Sequence, residues 1–136
     1  MKSVVFDTNV LLDIFVFNDF RAIHLKQALI EKQFDALASS QTLEEFADVI
    51  SRPLFALEPT EQESRLREWQ SLAKVLEDTA LEVAPWQCQD PDDQVFLNLA
   101  YTARPCILIS KDNALLRLAH KAAQDNILIT SDYKVL

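Results

Sequence analysis

Glycine is absent from all 136 residues, where average usage would supply about ten. That absence excludes a Gly-rich phosphate loop, a dinucleotide-binding fingerprint and an EF-hand turn, each of which needs glycine at fixed positions. Phosphate chemistry here has to proceed without a glycine cradle. Positive charge is also scarce. Thirteen Lys and Arg stand against twenty-one Asp and Glu, for a net charge of −8. A protein that holds nucleic acid by neutralising phosphates would lean the other way. Either nucleic acid is not the partner or something else, such as a bound divalent metal, supplies the positive charge; on composition alone a solubilising acidic surface is the readier account, and the metal reading rests on where the acids sit.

Cysteine is nearly missing too. Cys88 and Cys106 stand far apart, without the spacing of a metal or redox motif, so no disulfide framework is expected and a reducing cytoplasm is the expected location. The opening run from Met1 to Phe17 is interrupted by Asp7, Asn9 and Asp13, which argues against a signal peptide. No stretch is long and apolar enough to span a bilayer. What remains, 49% hydrophobic and 25% charged residues, suits a soluble globular domain.

Short apolar runs alternate with helical periodicity. Strands are predicted at Lys2 to Phe6, Phe34 to Ser39, Ala80 to Ala84, Cys106 to Ile109 and Ile127 to Thr130. Helices are predicted around Leu12 to Val16, at Ile23 to Glu31, and from the Ser39-Ser40 cap to Ile50. Further helices are predicted from Glu61 to about Glu77, from Asp92 to Ala103 and from Asp112 to Ala123. Such alternation implies an α/β fold, a three-layer α/β/α sandwich with a central, mainly parallel five-stranded sheet, in a single domain over residues 1–136.

In that architecture ligands gather beyond the carboxyl ends of the strands. Asp7 follows the first strand, Asp90, Asp92 and Asp93 follow the third, and Ser110-Lys111-Asp112 follows the fourth. Each group has a plain structural explanation: Asp7-Thr8-Asn9, Asp90-Pro91-Asp92-Asp93 and Ser110-Lys111-Asp112-Asn113 are all good helix starts. Glu44 and Glu45 flank the buried stripe of their helix, and periodicity does not choose between them. The informative feature is convergence. Several carboxylates at one sheet edge cannot all ionise in a dry cleft without cations. Mg²⁺ held by one or two of them, with waters and a substrate phosphate, would resolve that and support phosphodiester cleavage.

Four segments carry a resemblance: Val4-Val5-Phe6-Asp7-Thr8-Asn9-Val10, Glu45-Phe46-Ala47-Asp48-Val49-Ile50-Ser51-Arg52-Pro53, Asp90-Pro91-Asp92-Asp93-Gln94-Val95-Phe96-Leu97, and Leu108-Ile109-Ser110-Lys111-Asp112-Asn113-Ala114-Leu115-Leu116. In order and spacing they resemble PIN-domain proteins, in the branch of VapC-like toxins from type II toxin–antitoxin pairs, over essentially the whole chain. The resemblance implies a metal-dependent endoribonuclease acting on single-stranded RNA. Its acids, catalytic and metal-holding, fall on Asp7, Glu45, Asp93 and Asp112. Asn9 and Ser110 fit supporting positions, Mg²⁺ or Mn²⁺ is the implied cofactor, and a cognate antitoxin and homodimerisation are implied partners.

Two departures stand out. Lys111 occupies a position where the family usually has glycine, where it would crowd the pocket or contact a substrate phosphate. Ile129-Thr130-Ser131-Asp132 mimics the fourth segment, but Asp132 is expected to be structural or exposed. Two other readings compete. One is a non-catalytic PIN-like domain that binds RNA or protein. The other is a haloacid-dehalogenase-like phosphatase, disfavoured because Asn9 stands where that chemistry wants a second acid.

Overall fold

A computed structural model describes residues 1–136. Its strands are β1 (Ser3–Phe6), β2 (Asp35–Ser39), β3 (Lys74–Leu76), β4 (Cys106–Ile109) and β5 (Ile127–Thr130). Its helices are α1 (Thr8–Phe15), α2 (Ile23–Ile30), α3 (Ser40–Ile50), α4 (Pro59–Leu72), α5 (Gln94–Thr102), α6 (Asn113–Leu116) and α7 (Ala119–Ala123). The sheet order is β3-β2-β1-β4-β5 and every neighbouring pair is parallel. The expected three-layer α/β architecture is present, with a sheet that is wholly parallel.

Alternation along β1 divides the core. Val4 and Phe6 face the layer of α1 to α4, where Phe6 packs edge-on to Phe34 and Trp69, and Phe15 packs against Phe46 and Trp69. Val5 faces the opposite layer with Leu108, Ile127 and Ile129 and the inward residues Val95, Phe96 and Leu99 of α5. Both faces are apolar because helices cover both, as a parallel sheet requires.

The third strand is not where the sequence predicts it. It lies at Lys74–Leu76, directly after α4, and pairs with Leu37–Ser39. Lys74-Val75-Leu76 is a half-exposed edge strand, too short and too polar to read as buried, and Leu76 mimics one more turn of the amphipathic helix, which ends at Leu72. The Ala80 to Ala84 segment instead begins in a 3-10 turn and is held by side chains. Thr102 Oγ1 accepts the Glu82 amide at 2.8 Å and Asn98 Oδ1 the Ala84 amide at 2.9 Å. Gln94 accepts the Cys88 amide at 2.7 Å and donates to the Trp86 carbonyl at 3.1 Å. These three α5 residues recur every four positions on one helix face and satisfy backbone groups that a strand would have paired.

The last predicted helix is broken between Leu116 and Ala119 into α6 and α7. Residues Pro91–Asp93 form a 3-10 turn leading into α5, not its first α-helical turn. No helix is long and apolar enough to cross a membrane.

Without glycine, left-handed backbone falls on other residues. Asn18, Lys32, Ala56 and Asn126 all have φ between 47° and 62°.

Candidate active site

From β1 the chain moves outward one way through β2 and β3, then returns to the other side of β1 for β4 and β5. The carboxyl ends of β1 and β4 therefore flank the point where the winding reverses, which is where open α/β sheets leave a crevice. Phe6 is in register with Ile109, so the next residues, Asp7 and Ser110, emerge side by side. The Ser110 hydroxyl donates to Asp7 Oδ2, and its oxygen accepts the Asp112 amide at 3.0 Å. Asp7 Oδ1 accepts the Val10 amide at 3.1 Å and caps α1. Capping and membership of the acid cluster are thus combined in one side chain. Asp7 is only 4% exposed. Burial raises its pKa, opposed by the hydrogen bonds from Ser110 and Val10 and reinforced by the charge of Asp112.

Asp112 caps α6, accepting the Ala114 amide at 2.9 Å. Asp93 lies within hydrogen-bonding reach of Asp112, and its pKa is pushed up to about 8. Burial is the largest cause, followed by the hydrogen bond and charge of Asp112, then the charges of Asp90 and Glu45. Burial and the neighbouring carboxylate both disfavour the ionised form of Asp93. Glu45 is half-buried and accepts a hydrogen bond from the Thr8 hydroxyl, while Glu44 is exposed. The ambiguity between these two glutamates is a matter of helix rotation, and α3 turns Glu45 toward β1.

Asn9 is exposed and approaches Asp7 through its backbone amide. Asp90 is exposed and caps the 3-10 turn through the Asp92 amide at 3.0 Å; Asp92 is also exposed. Asp132 is exposed and accepts the Lys134 amide at 2.9 Å. Three residues of the site carry no sequence signal strong enough to find them: Thr8, Tyr133 and Asp13. Asp13 is 4% exposed, and its Oδ2 accepts both Lys111 Nζ at 2.7 Å and the Tyr133 hydroxyl at 2.6 Å. An acid inside the apolar run Leu11-Leu12-Asp13-Ile14-Phe15 was the one available hint. Lys111 is thereby drawn to Asp13, which answers the question of where a lysine can go between Ser110 and Asp112.

The donors are all hard oxygens, the type that Mg²⁺ and Mn²⁺ take. No three acidic or other ligating side chains converge into a ready metal cage. Mg²⁺ does not need one, since one or two carboxylates with waters suffice. The charge of Asp112 and Asp90 beside Asp93, which raises its pKa, is the kind of repulsion that a bound cation would relieve.

No curated protein matches the sequence. A chain of the VapBC2 complex of Rickettsia felis, whose crystal structure contains a DNA fragment from its promoter, superposes with a TM-score of 0.61 at 14% identity, over 93% of this chain and 96% of that one. That likeness concerns the fold. Residues 3–114 match the model of the PIN domain, a family whose members are generally nucleases. The match takes in Asp7, Glu45, Asp93, Ser110 and Asp112 together, and the chain belongs to the PIN domain family.

Proposed function

We propose that the chain is a metal-dependent endoribonuclease that hydrolyses phosphodiester bonds of single-stranded RNA at the pocket of Asp7, Glu45, Asp93 and Asp112. The observation that carries this reading is the meeting of Asp7, Ser110, Asp112 and Asp93 at the switch point of the sheet.

Asp7, Glu45 and Asp93 would hold Mg²⁺ or Mn²⁺, with Asp112 completing the pocket directly or through water. When bound, the ion supplies Lewis acidity toward the phosphate and makes a water acidic enough to attack near neutral pH. The residues of the chain do the rest. Ser110 and the first amides of α1 fix the orientation of the Asp7 carboxylate, and Thr8 does so for Glu45. Asp112, capped into α6, is held rigidly beside Asp93. Water attack on phosphorus with loss of the 3′-oxygen would leave a 5′-phosphate and a 3′-hydroxyl.

The wider reading treats residues 1–136 as one domain acting in the cytoplasm as the toxin of a toxin–antitoxin pair. Family membership and the fold shared with a VapBC2 chain support it. An acidic cleft is suited to receive a basic segment of an antitoxin. Homodimerisation belongs to the same reading.

The test is cleavage of an end-labelled, unstructured RNA by purified protein with Mn²⁺, beside EDTA and Asp93→Asn. Metal-dependent cutting that disappears in both controls is expected. Equal cutting by wild type and Asp93→Asn, with contamination excluded, overturns the site assignment.

A further inference from the structure

At Lys111, next in sequence to Ser110 and Asp112, opens a second hollow of about 680 Å³. The cations Arg21, Lys111 and Lys134 line it together with the ring of Phe20. Phe20 is 80% exposed, so its ring is free to be stacked upon. In a chain where acids outnumber Lys and Arg by twenty-one to thirteen, three cations meet around one exposed aromatic ring, with Asp13, Asp19 and Asp132 only equalling them in number.

The cations are pre-oriented. Arg21 is held by Asp19 through two bonds, Nε to Oδ1 at 3.1 Å and Nη2 to Oδ2 at 2.7 Å, and the ion pair keeps its guanidinium side chain 58% exposed. Lys111 is held by Asp13 at 2.7 Å with its side chain 38% exposed, so N–H groups remain directed at solvent. Lys134 is exposed and enters no ion pair. The acids facing this region are Asp13, Asp19 and Asp132; the first two are occupied by Lys111 and Arg21, and Asp132 accepts a backbone amide. The floor is Tyr133, whose hydroxyl is fixed on the same Asp13 oxygen as Lys111.

Lys111 is the hinge between the two regions. Its neighbours Ser110 and Asp112 belong to the acid cluster, and its ammonium belongs to the hollow. A strand with its scissile phosphate at the acids would therefore run next into cations and an aromatic plate. This is the combination that holds single strands: charge for the backbone and a ring on which a base can stack.

We propose that this hollow is a nucleotide subsite for the RNA strand. In it Phe20 stacks a base adjoining the scissile bond, and Arg21, Lys111 and Lys134 contact its flanking phosphates. The assignment rests on the single-stranded RNA reading above, and gives it a binding site separate from the acids that cut.

The probe is a dye-labelled, unstructured ten-nucleotide RNA, titrated by fluorescence anisotropy in Mg²⁺ against the full chain carrying Asp93→Asn. Phe20→Ala is expected to weaken binding roughly tenfold, the usual scale for one lost base stack. Lys134→Ala and Arg21→Ala should each weaken binding and reduce the salt slope by about 0.7 per lost phosphate contact. Arg67→Ala, on the exposed face of α4, serves as the control for generic loss of charge. In the wild-type background Phe20→Ala should lower kcat/KM by about the same tenfold as it weakens binding.

Binding by Phe20→Ala and Lys134→Ala equal to that of Arg67→Ala overturns the subsite, whether or not the wild type cuts. Failure of the Asp93→Asn chain to bind the oligonucleotide at all overturns it as well. Loss of binding in the hollow variants of a protein that never cleaves RNA would uphold the subsite and overturn the nuclease reading instead.

Discussion

The Ser110 hydroxyl donates to the Asp7 carboxylate across 103 residues of chain, because Phe6 and Ile109 are paired in the preceding register of the sheet. A one-residue slip between β1 and β4 would break this contact and turn the apolar residues of one strand to the wrong face. Core packing and site geometry are thus enforced by the same register.

Ser110→Ala is expected to leave the fold intact, lower stability by about 1–3 kcal/mol and reduce cleavage more than stability loss explains, because a buried carboxylate oxygen loses its donor. Thermal melts paired with single-turnover cleavage at saturating RNA would measure both effects. Full activity in Ser110→Ala would show that Asp7 needs no such orientation.

The Asp93 carboxyl ties stability to pH. Its folded pKa, about 8, is above the ordinary 3.8, so the folded protein binds this proton more tightly than the unfolded chain. The stabilisation is therefore fully present below about pH 4 and is lost as pH rises toward 8. Asp7, also raised, acts in the same direction. In metal-free protein the Tm contribution of this pair should fall across that window, and Asp93→Asn should flatten the fall. After discounting for solvent screening the Asp93 effect is expected at about 1–2 kcal/mol. A pH profile of Tm unchanged by Asp93→Asn would contradict the coupling. Saturating Mg²⁺ should raise Tm more at pH 8 than at pH 5, since the ion competes with the proton.

Gln94 and Asn98 hold the segment that delivers Asp93. Gln94→Ala frees the Cys88 amide and the Trp86 carbonyl together, and a loss of about 1–3 kcal/mol is expected. Hydrogen exchange should quicken at the Cys88 amide before it does in β1 or β4. Unchanged protection at Cys88 would show that the loop is held by its packing alone.

Ala56 adopts φ 52°, ψ 35° at the end of the short turn Pro53–Phe55. A Cβ is unfavourable there and glycine is not. Ala56→Gly should therefore stabilise the chain by about 0.5–1 kcal/mol, against the usual direction of a glycine substitution. Denaturant titration decides it, and a loss of stability would mean that the Ala56 methyl contributes packing worth more than the strain.

The α/β class, four of the five strands and the edge on which acids gather are legible in the order of residues, because these depend on local periodicity and on which residues follow apolar runs. That order did not determine β3. Lys74-Val75-Leu76 is strand only because β2 offers it an edge, whereas Ala80 to Ala84 has strand-like composition but gives its amides to Thr102 and Asn98. Nor could periodicity choose Glu45 over Glu44; the resemblance named Glu45, and the rotation of α3 against β1 sets it against Thr8. Lys111 was legible as a departure, but its destination was not. That depended on Asp13, buried at the sixth residue of α1, and on Tyr133, 120 residues further on. Composition and spacing register what a backbone segment prefers alone. Which polar groups meet is decided when parallel strands lock in register and burial makes every unpaired donor or carboxylate costly.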